Sequence, residues 1–430
     1  MRSGDTIVAL SSGAPPSGVA VIRLSGPATG TIVQDIAGAI PEPRRLTLRP
    51  IGRDSLLDRG LVAWFPAPHS FTGEDCAELQ VHGSPAGVRA ILKLITTNGA
   101  RLAEAGEFTR RAFENGKLDL VEIEGLGDLL EAETENQRRQ ALARFEGGLS
   151  RRVDGWRDQL LDLRAEIEAR LDFSDEGDVS DALPADFARS LSLMRADLAE
   201  ALTSVEHGRI VREGIRVALA GPPNAGKSSL LNALAKSDIA IVTDEAGTTR
   251  DVREVPLDIN GQLYVLLDLA GLRDTDSKAE AEGVRRARQA IEDADIVLWL
   301  SAPDLSQEVP PPLGDRHIHV GTKRDVGTVP GTDIAVSTQS GEGLVELLVR
   351  IEQLGQTLAS GEPSLLSRER DRAALQVSME ALEAAAGQLG SPELAAESLR
   401  LASQALERLV GRLDAERVLD RLFASFCIGK

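Results

Sequence analysis

The run Gly221-Pro-Pro-Asn-Ala-Gly226-Lys227-Ser228 carries the densest chemistry in this chain. It fits G-x-x-x-x-G-K-[ST], in which glycines let backbone N–H groups wrap phosphates and a following helix start adds partial positive charge. Asn224, Ala225 and Gly226 are expected to cradle a nucleotide's phosphates, Lys227 to reach the outer ones, Ser228 to ligate Mg²⁺ and Ser229 to open the helix. Asp268-Leu-Ala-Gly271 matches D-x-x-G. Asp268 would hold Mg²⁺ through water, and the Gly271 amide would sense the γ-phosphate. In Thr322-Lys323-Arg324-Asp325, a carboxylate at Asp325 can accept two hydrogen bonds from guanine N1–H and its 2-amine, which adenine does not offer. Thr322 stands where this pattern usually has Asn, so weaker affinity with retained specificity is expected. Ser337 follows a last strand and is expected beside the base. Between the first two motifs, Ile241 to Asp251 reads as a switch with Thr249 as second Mg²⁺ ligand, and Leu272 stands where a water-orienting Gln is common.

These motifs need strand ends. Apolar runs at Ile215–Ala220, Leu263–Leu267, Ile296–Leu300, His317–Val320 and Ile334–Val336 alternate with helical stretches. That alternation predicts a mostly parallel sheet covered on both faces. Four motifs, each on a strand end, resemble a GTPase of the translation-factor-related class.

The flanks differ. Before residue 119 the pattern is α+β, with strand-like runs at Thr6–Leu10, Val19–Leu24, Gly60–Phe65 and Ala77–His82 and a helix over Pro85–Thr97. Trp156, Leu160, Leu163, Ile167 and Leu171 form one helical stripe, and Leu375, Met379, Leu382 and Ala386 another. The two helical segments are expected to pack as one bundle around an inserted nucleotide domain. The expected boundaries are 1–118 (α+β), 119–212 (helical), 213–358 (α/β P-loop domain) and 359–430 (helical).

The 430 residues hold 42% hydrophobic but 3% aromatic residues, which favours helices and parallel sheet over an aromatic-rich β-sandwich. A net charge of -19 argues against nonspecific coating of nucleic acid. Two cysteines, Cys76 and Cys427, cannot form a disulfide framework, and no apolar run reaches the ~18–20 residues that span a bilayer. A cytoplasmic, soluble chain is expected. His82 reads as a satisfied strand-end histidine. Arg110-Arg111, Arg138-Arg139 and Arg151-Arg152 read as mostly solvated helix charge with some capacity for RNA phosphate.

From end to end the chain resembles the MnmE (TrmE) family of tRNA modification GTPases. The resemblance rests on Asp5-Thr-Ile-Val-Ala, Val21-Ile-Arg23-Leu-Ser-Gly, Phe71-Thr-Gly-Glu-Asp, Glu78-Leu-Gln-Val-His-Gly, Lys117-Leu-Asp-Leu, the GTPase motifs and the terminal Phe426-Cys427-Ile-Gly-Lys430. It implies an enzyme acting with the flavin-containing MnmG in a heterotetramer. That pair adds an aminomethyl or carboxymethylaminomethyl group at C5 of wobble uridine. The carbon would come from a tetrahydrofolate one-carbon derivative, 5-formyl- or methylene-tetrahydrofolate, bound by Arg23, Glu78, Lys117 and Lys430. Homodimers would pair their GTPase domains in K⁺, held by Asn224, Thr243, Glu245 and Thr248, with Thr243 and Thr248 also at GTP. Glu280 would position the attacking water, and Cys427 would lie near the reacting carbon. The acidic chain implies that tRNA is gripped mainly through the partner. The alternative class is a non-enzymatic GTPase switch in ribosome assembly, which leaves Arg23, Glu78, Lys117 and Cys427 without a task.

Overall fold

The computed structural model describes residues 4–172, 185–237, 239, 241, 253–268, 289–306, 314–359, 364–413, 418, 419, 422, 423, 426 and 429. Its contacts divide the chain into two compact units, 1–127 with 150–157 and 403–430, and 128–149 with 158–402.

The first unit is built on a six-stranded sheet of order β3-β4-β5-β2-β1-β6. Its strands are β1 (Thr6–Leu10), β2 (Ser17–Ser25), β3 (Thr47–Ile51), β4 (Asp58–Phe65), β5 (Cys76–Gly83) and β6 (Ala100–Leu102). Pairing is antiparallel except between β1 and β6. The period-two pattern expected of a half-covered sheet is present: Ala20, Ile22 and Leu24 of β2 and Ala77, Leu79 and Val81 of β5 are buried. Helices α1 (Thr29–Ala37) and α2 (Pro85–Thr97) cover that face with Ile32, Val33, Ile36, Val88, Ile91 and Ile95. Helix α2 matches its sequence expectation to the residue, because Ser84 caps its Gly87 amide and Pro85 sits in the first turn. Helices α3 (Glu107–Glu114) and α4 (Leu120–Glu131) follow. Leu120 and Ile123 pack against Leu419, Phe423 and Phe426, which ties the end of the chain into this unit.

The second unit contains α5 (Glu135–Phe145), most of α6 (Gly148–Asp172) and α7 (Ala185–Glu213). Then come β7 (Ile215–Ala220), α8 (Lys227–Ala235), β8 (Arg253–Ile259), β9 (Gln262–Asp268), β10 (Ile296–Ser301), β11 (His317–Gly321) and β12 (Ile334–Ala335). Helices α9 (Leu344–Leu358), α10 (Glu369–Gly387) and α11 (Pro392–Leu409, assigned to this unit as far as residue 402) follow. The sheet order is β12-β11-β10-β7-β9-β8, parallel except for β8 against β9. Strands β7 and β10 are buried nearly throughout, as a sheet covered on both faces requires. Sequence alternation missed β8, whose Arg-Glu-Val-Pro-Leu-Asp-Ile mixes charge and Pro. It is an edge strand, where such residues are tolerated. A two-residue turn, Asn260-Gly261 with φ of 51° and 81°, joins it to β9 in the geometry that primed hairpin turns need.

Helices α7 and α10, on either side of the nucleotide fold in sequence, pack together and are bridged by Arg195–Glu383 and Arg372–Glu206. The α10 seam is Leu375, Ser378, Leu382 and Ala385; Met379 and Ala386, expected on it, lie half-buried at its flank. In α6, Trp156, Leu160, Leu163 and Ile167 are buried as expected, while the Leu171 side chain lies outside the described part. A fully buried ion pair, Arg144–Asp371 at 3.1 Å, joins α5 to α10. Asp371 also accepts from the Ser367 and Arg368 amides. Burial pushes its carboxyl up, but the Arg144 and Arg370 charges and those amides outweigh it and hold it below the ordinary range.

Candidate functional site: a nucleotide pocket and an N-terminal ionic pocket

The phosphate loop leaves β7 at Gly221. A side chain there is impossible: φ is +133°, and a Cβ would sit 2.3 Å from the Leu300 carbonyl oxygen of β10. Gly226, at φ +93°, starts α8, so the first-turn amides of that helix face the loop. The Lys227 ammonium donates to Gly221 O (2.9 Å) and Pro222 O (2.8 Å), folding over the loop it serves. Ala225 is buried, while Asn224 and Ser229 are exposed. Ser228 Oγ donates to Asp268 Oδ2 at 2.7 Å, so the two expected Mg²⁺-side oxygens, from α8 and the end of β9, meet at one point. Two hard oxygen donors beside a phosphate cradle fit Mg²⁺, which keeps waters and phosphate oxygens as its other ligands.

The base loop lies at the same sheet edge. It follows β11 and is fixed at several places. Thr322 N donates to Ser301 O (2.8 Å) and its hydroxyl to Ala225 O (2.6 Å). Lys323, left-handed at φ +53°, pairs with both Asp304 oxygens at 2.7 and 2.9 Å. The Lys323 hydrogen bond and charge hold the Asp304 carboxyl below its ordinary range, against weak desolvation. Ser337, fully buried after β12, donates to Asp325 Oδ1 at 2.6 Å. The Gln339 and Ser340 amides donate in turn to Ser337 Oγ. Sequence reasoning missed Asp304; for Thr322 a hydrogen bond to a nearby loop was within its reach, but not that Ala225 is the partner. The available signal was that Asp304 lies just past β10, at the strand ends where parallel sheets bind ligands.

In the N-terminal unit, Arg23 and Glu78 face each other in register across β2 and β5, 2.9 Å apart. The guanidinium stands 5.4 Å from the Phe71 ring centre and 5.8 Å from that of Phe108, contacts that spacing did not reveal. Lys117 Nζ donates to Pro68 O at 3.1 Å, and its stem lies against Gly73. The loop between β4 and β5 thus touches both Arg23 and Lys117. Next to it is an ionic cluster. Arg111 binds Asp5 (2.6 Å) and Glu74 (2.9 Å), and Arg101 binds Asp5 and Glu107. Burial pushes the Asp5 and Glu107 carboxyls up, but their arginine partners outweigh it and hold both below the usual carboxylate range. Arg111 is buried, which corrects its reading as solvated helix charge and removes it from the RNA candidates. Arg110 stacks over Phe423 at 4.9 Å. His82 is satisfied as expected, through Asp58 at 2.8 Å.

Thr243, Glu245, Thr248, Thr249, Gly271, Glu280, Cys427 and Lys430 lie outside the described residues.

A G-K-S loop on a parallel sheet, a hydroxyl–carboxylate pair at its metal edge and a carboxylate-bearing base loop define a P-loop GTPase domain, carried in a chain that opens with a separate α+β domain. Residues 6–117 match the model of the GTP-binding protein TrmE N-terminus, and residues 120–427 match that of the MnmE helical domain. The chain belongs to the MnmE family of tRNA modification GTPases, enzymes that hydrolyse GTP. It is 50% identical to a tRNA modification GTPase MnmE from Azorhizobium caulinodans over 436 residues, covering 100% of both chains. It is 49% identical to that of Rhizobium johnstonii, covering 99% of each. Among solved structures it is similar to the G domain of the T. maritima FeoB iron transporter, with 26% identity, 33% of this chain and 99% of that chain covered and a TM-score of 0.24. Among the described residues no helix is long and apolar enough to cross a membrane.

Proposed function

We propose that this chain uses GTP hydrolysis to drive modification of wobble uridine at C5 in certain tRNAs, together with a flavin-containing MnmG partner. A folate one-carbon unit would supply the added carbon, and an aminomethyl or carboxymethylaminomethyl group would result. The observation that carries this reading is that one chain holds both a phosphate loop with its metal-side oxygens and, in its α+β unit, charged groups at Arg23, Glu78 and Lys117 set around the β4–β5 loop. A GTPase switch has no use for the second. Arg23 suits a glutamyl carboxylate, Glu78 can accept from the pterin 2-amino edge, and Lys117 adds an ammonium.

In the nucleotide pocket the amides of residues 224–229 bind the phosphates and Lys227 their outer oxygens. Ser228, with Thr249, would hold Mg²⁺, whose role is to neutralise charge between β- and γ-phosphates. Asp268 backs that site through water. Asp325, oriented by Ser337, reads the guanine edge. Glu280 would orient the attacking water. Asn224 and the backbones of Thr243, Glu245 and Thr248 would hold K⁺ where another GTPase uses an arginine. Cys427 and Lys430 would complete the folate end. We further propose a cytoplasmic homodimer with domains at 1–118, 119–212, 213–358 and 359–430.

Nucleoside mass spectrometry of tRNA from a strain lacking this protein tests the reading. Unmodified wobble uridine, restored by the wild-type gene and not by Glu280→Ala, is the expected result. Intact modification with defective ribosomal subunits would overturn it in favour of an assembly switch.

A further inference from the structure

The hydroxyl of Thr322 has one proton, and the fold has already committed it. Thr322 is 2% exposed. Its Oγ1 lies 2.6 Å from Ala225 O and 3.2 Å from Ser301 O, both carbonyl acceptors. Ala225 O is the nearer acceptor, and Ser301 O already accepts from the Thr322 amide at 2.8 Å, so the proton goes to Ala225 O. From the other side, a Cβ built on Gly226 would sit 3.5 Å from Thr322 Cβ and Oγ1, so this side chain packs against the phosphate loop. Guanine N7 is an acceptor. A residue whose only donor is spent on a backbone carbonyl has nothing to offer it. An Asn at this position would carry two N–H donors and could serve a loop carbonyl and N7 together.

We infer that Thr322 is a positioning residue that ties the base loop to the phosphate loop, and that this chain binds guanine with no hydrogen bond from residue 322 to N7. Specificity then rests on the Watson–Crick edge, read by Asp325 with Oδ1 fixed by Ser337. The inference rests on the guanine-reading role proposed for Asp325. One consequence is a nucleotide pocket indifferent to chemistry at N7. Another is that loss of the hydroxyl loosens GTP and GDP alike, because both need the phosphate loop in place.

Equilibrium binding of GTP and of 7-deaza-GTP, in which N7 is replaced by C–H, tests this on the full-length protein. Wild type is expected to bind the two within about twofold, since no hydrogen bond from residue 322 is lost. Thr322→Asn is expected to prefer GTP by about five- to tenfold, the worth of one ordinary hydrogen bond. Thr322→Val should weaken GTP and GDP by about the same factor, on the order of tenfold, and Thr322→Ser should restore both. A wild-type preference for GTP over 7-deaza-GTP of about tenfold or more, or a Val variant that binds like wild type, would overturn the inference. A parallel Asp325→Asn titration with GTP and xanthosine triphosphate keeps the two readings apart. An Asn amide should lose guanine, whose 2-amine needs an acceptor, and donate to the 2-oxo oxygen of xanthine. If that exchange fails, the base site is misassigned. If it succeeds while N7 matters, only the role of Thr322 falls.

Discussion

The two candidate pockets are held in place by opposite means. The N-terminal one is set by charge: Arg23 against Glu78, Arg111 against Asp5 and Glu74, Arg101 against Asp5 and Glu107. The base and metal edges of the nucleotide pocket are set largely by hydroxyls aimed at carbonyls and carboxylates: Thr322 at Ala225, Ser228 at Asp268, Ser337 at Asp325. The difference follows from what each must hold. A loop that cradles a highly charged phosphate gains nothing from competing salt bridges. Arg23 and Glu78 face each other within a paired stretch of β2 and β5, where the backbone donors are spent on the sheet, so side-chain charges must define the site. Ion pairs between exposed or half-exposed charges weaken as salt screens them, and a hydroxyl on a buried carbonyl, as at Thr322 and Ala225, is far less affected.

Several substitutions would break or sharpen that contrast. The largest effect is expected from Lys227→Ala, which should lower GTP turnover by about a thousandfold or more while leaving formyl-folate binding within about twofold. Steady-state phosphate release and a folate titration on the same sample read both. Loss of both activities would show that the pockets are not independent. Next, Arg111→Met should take the arginine partner from Glu74, leave Asp5 with Arg101 alone and cost about 2–3 kcal/mol. Thermal denaturation should show this as a large drop in Tm, whereas Ser337→Ala should cost only about 1 kcal/mol.

Glu78→Gln should weaken folate by about tenfold, because a neutral amide pairs poorly with Arg23, and leave GTP binding unchanged. Calorimetric titration decides it, and equal folate affinity would remove the Arg23–Glu78 pair from the site. Acid should act on the same side of the contrast. Asp5 and Glu107 have folded-state values below their ordinary ones, so their contribution is present above that range and disappears as pH falls through the depressed values. The α+β domain should therefore hold its near-ultraviolet signal to below about pH 4 and then lose it. The smallest effect is spectroscopic. Tyr264 is the sole tyrosine in the chain, and burial, helped by the Glu352 charge, pushes its phenol up to about 12. Tyrosinate absorbance should not rise near pH 10, and an ordinary titration there would mean that the core around Gly355 is looser than it stands.

Much of this was legible in the sequence, for uneven reasons. The strands of the nucleotide sheet announce themselves as short apolar runs because both sheet faces are covered, and β7 was read to the residue. The edge strands β3, β6 and β8 were missed, since one exposed side lets charge, Pro and Thr enter and erases the period. Lys227, Ser228, Asp268 and Asp325 stand out in the sequence by motif spacing, and the structure brings Ser228 to Asp268 and Ser337 to Asp325. Asp304, Phe71 and Arg111 do not stand out, because their partners come from other elements and sequence spacing does not encode them.

What the sequence determined by itself is which chemistry the chain can perform: local backbone demands at Gly221 and Gly226, and side-chain types whose donors and acceptors suit phosphate and guanine. What only the tertiary structure decided is where each donor is spent. Thr322 reads only as a departure from the usual Asn until the β10, β11 and phosphate-loop segments meet, and its single proton goes to Ala225. A hydrogen bond is satisfied by whichever acceptor the fold brings within reach, and that choice is made by packing between segments ninety-seven residues apart.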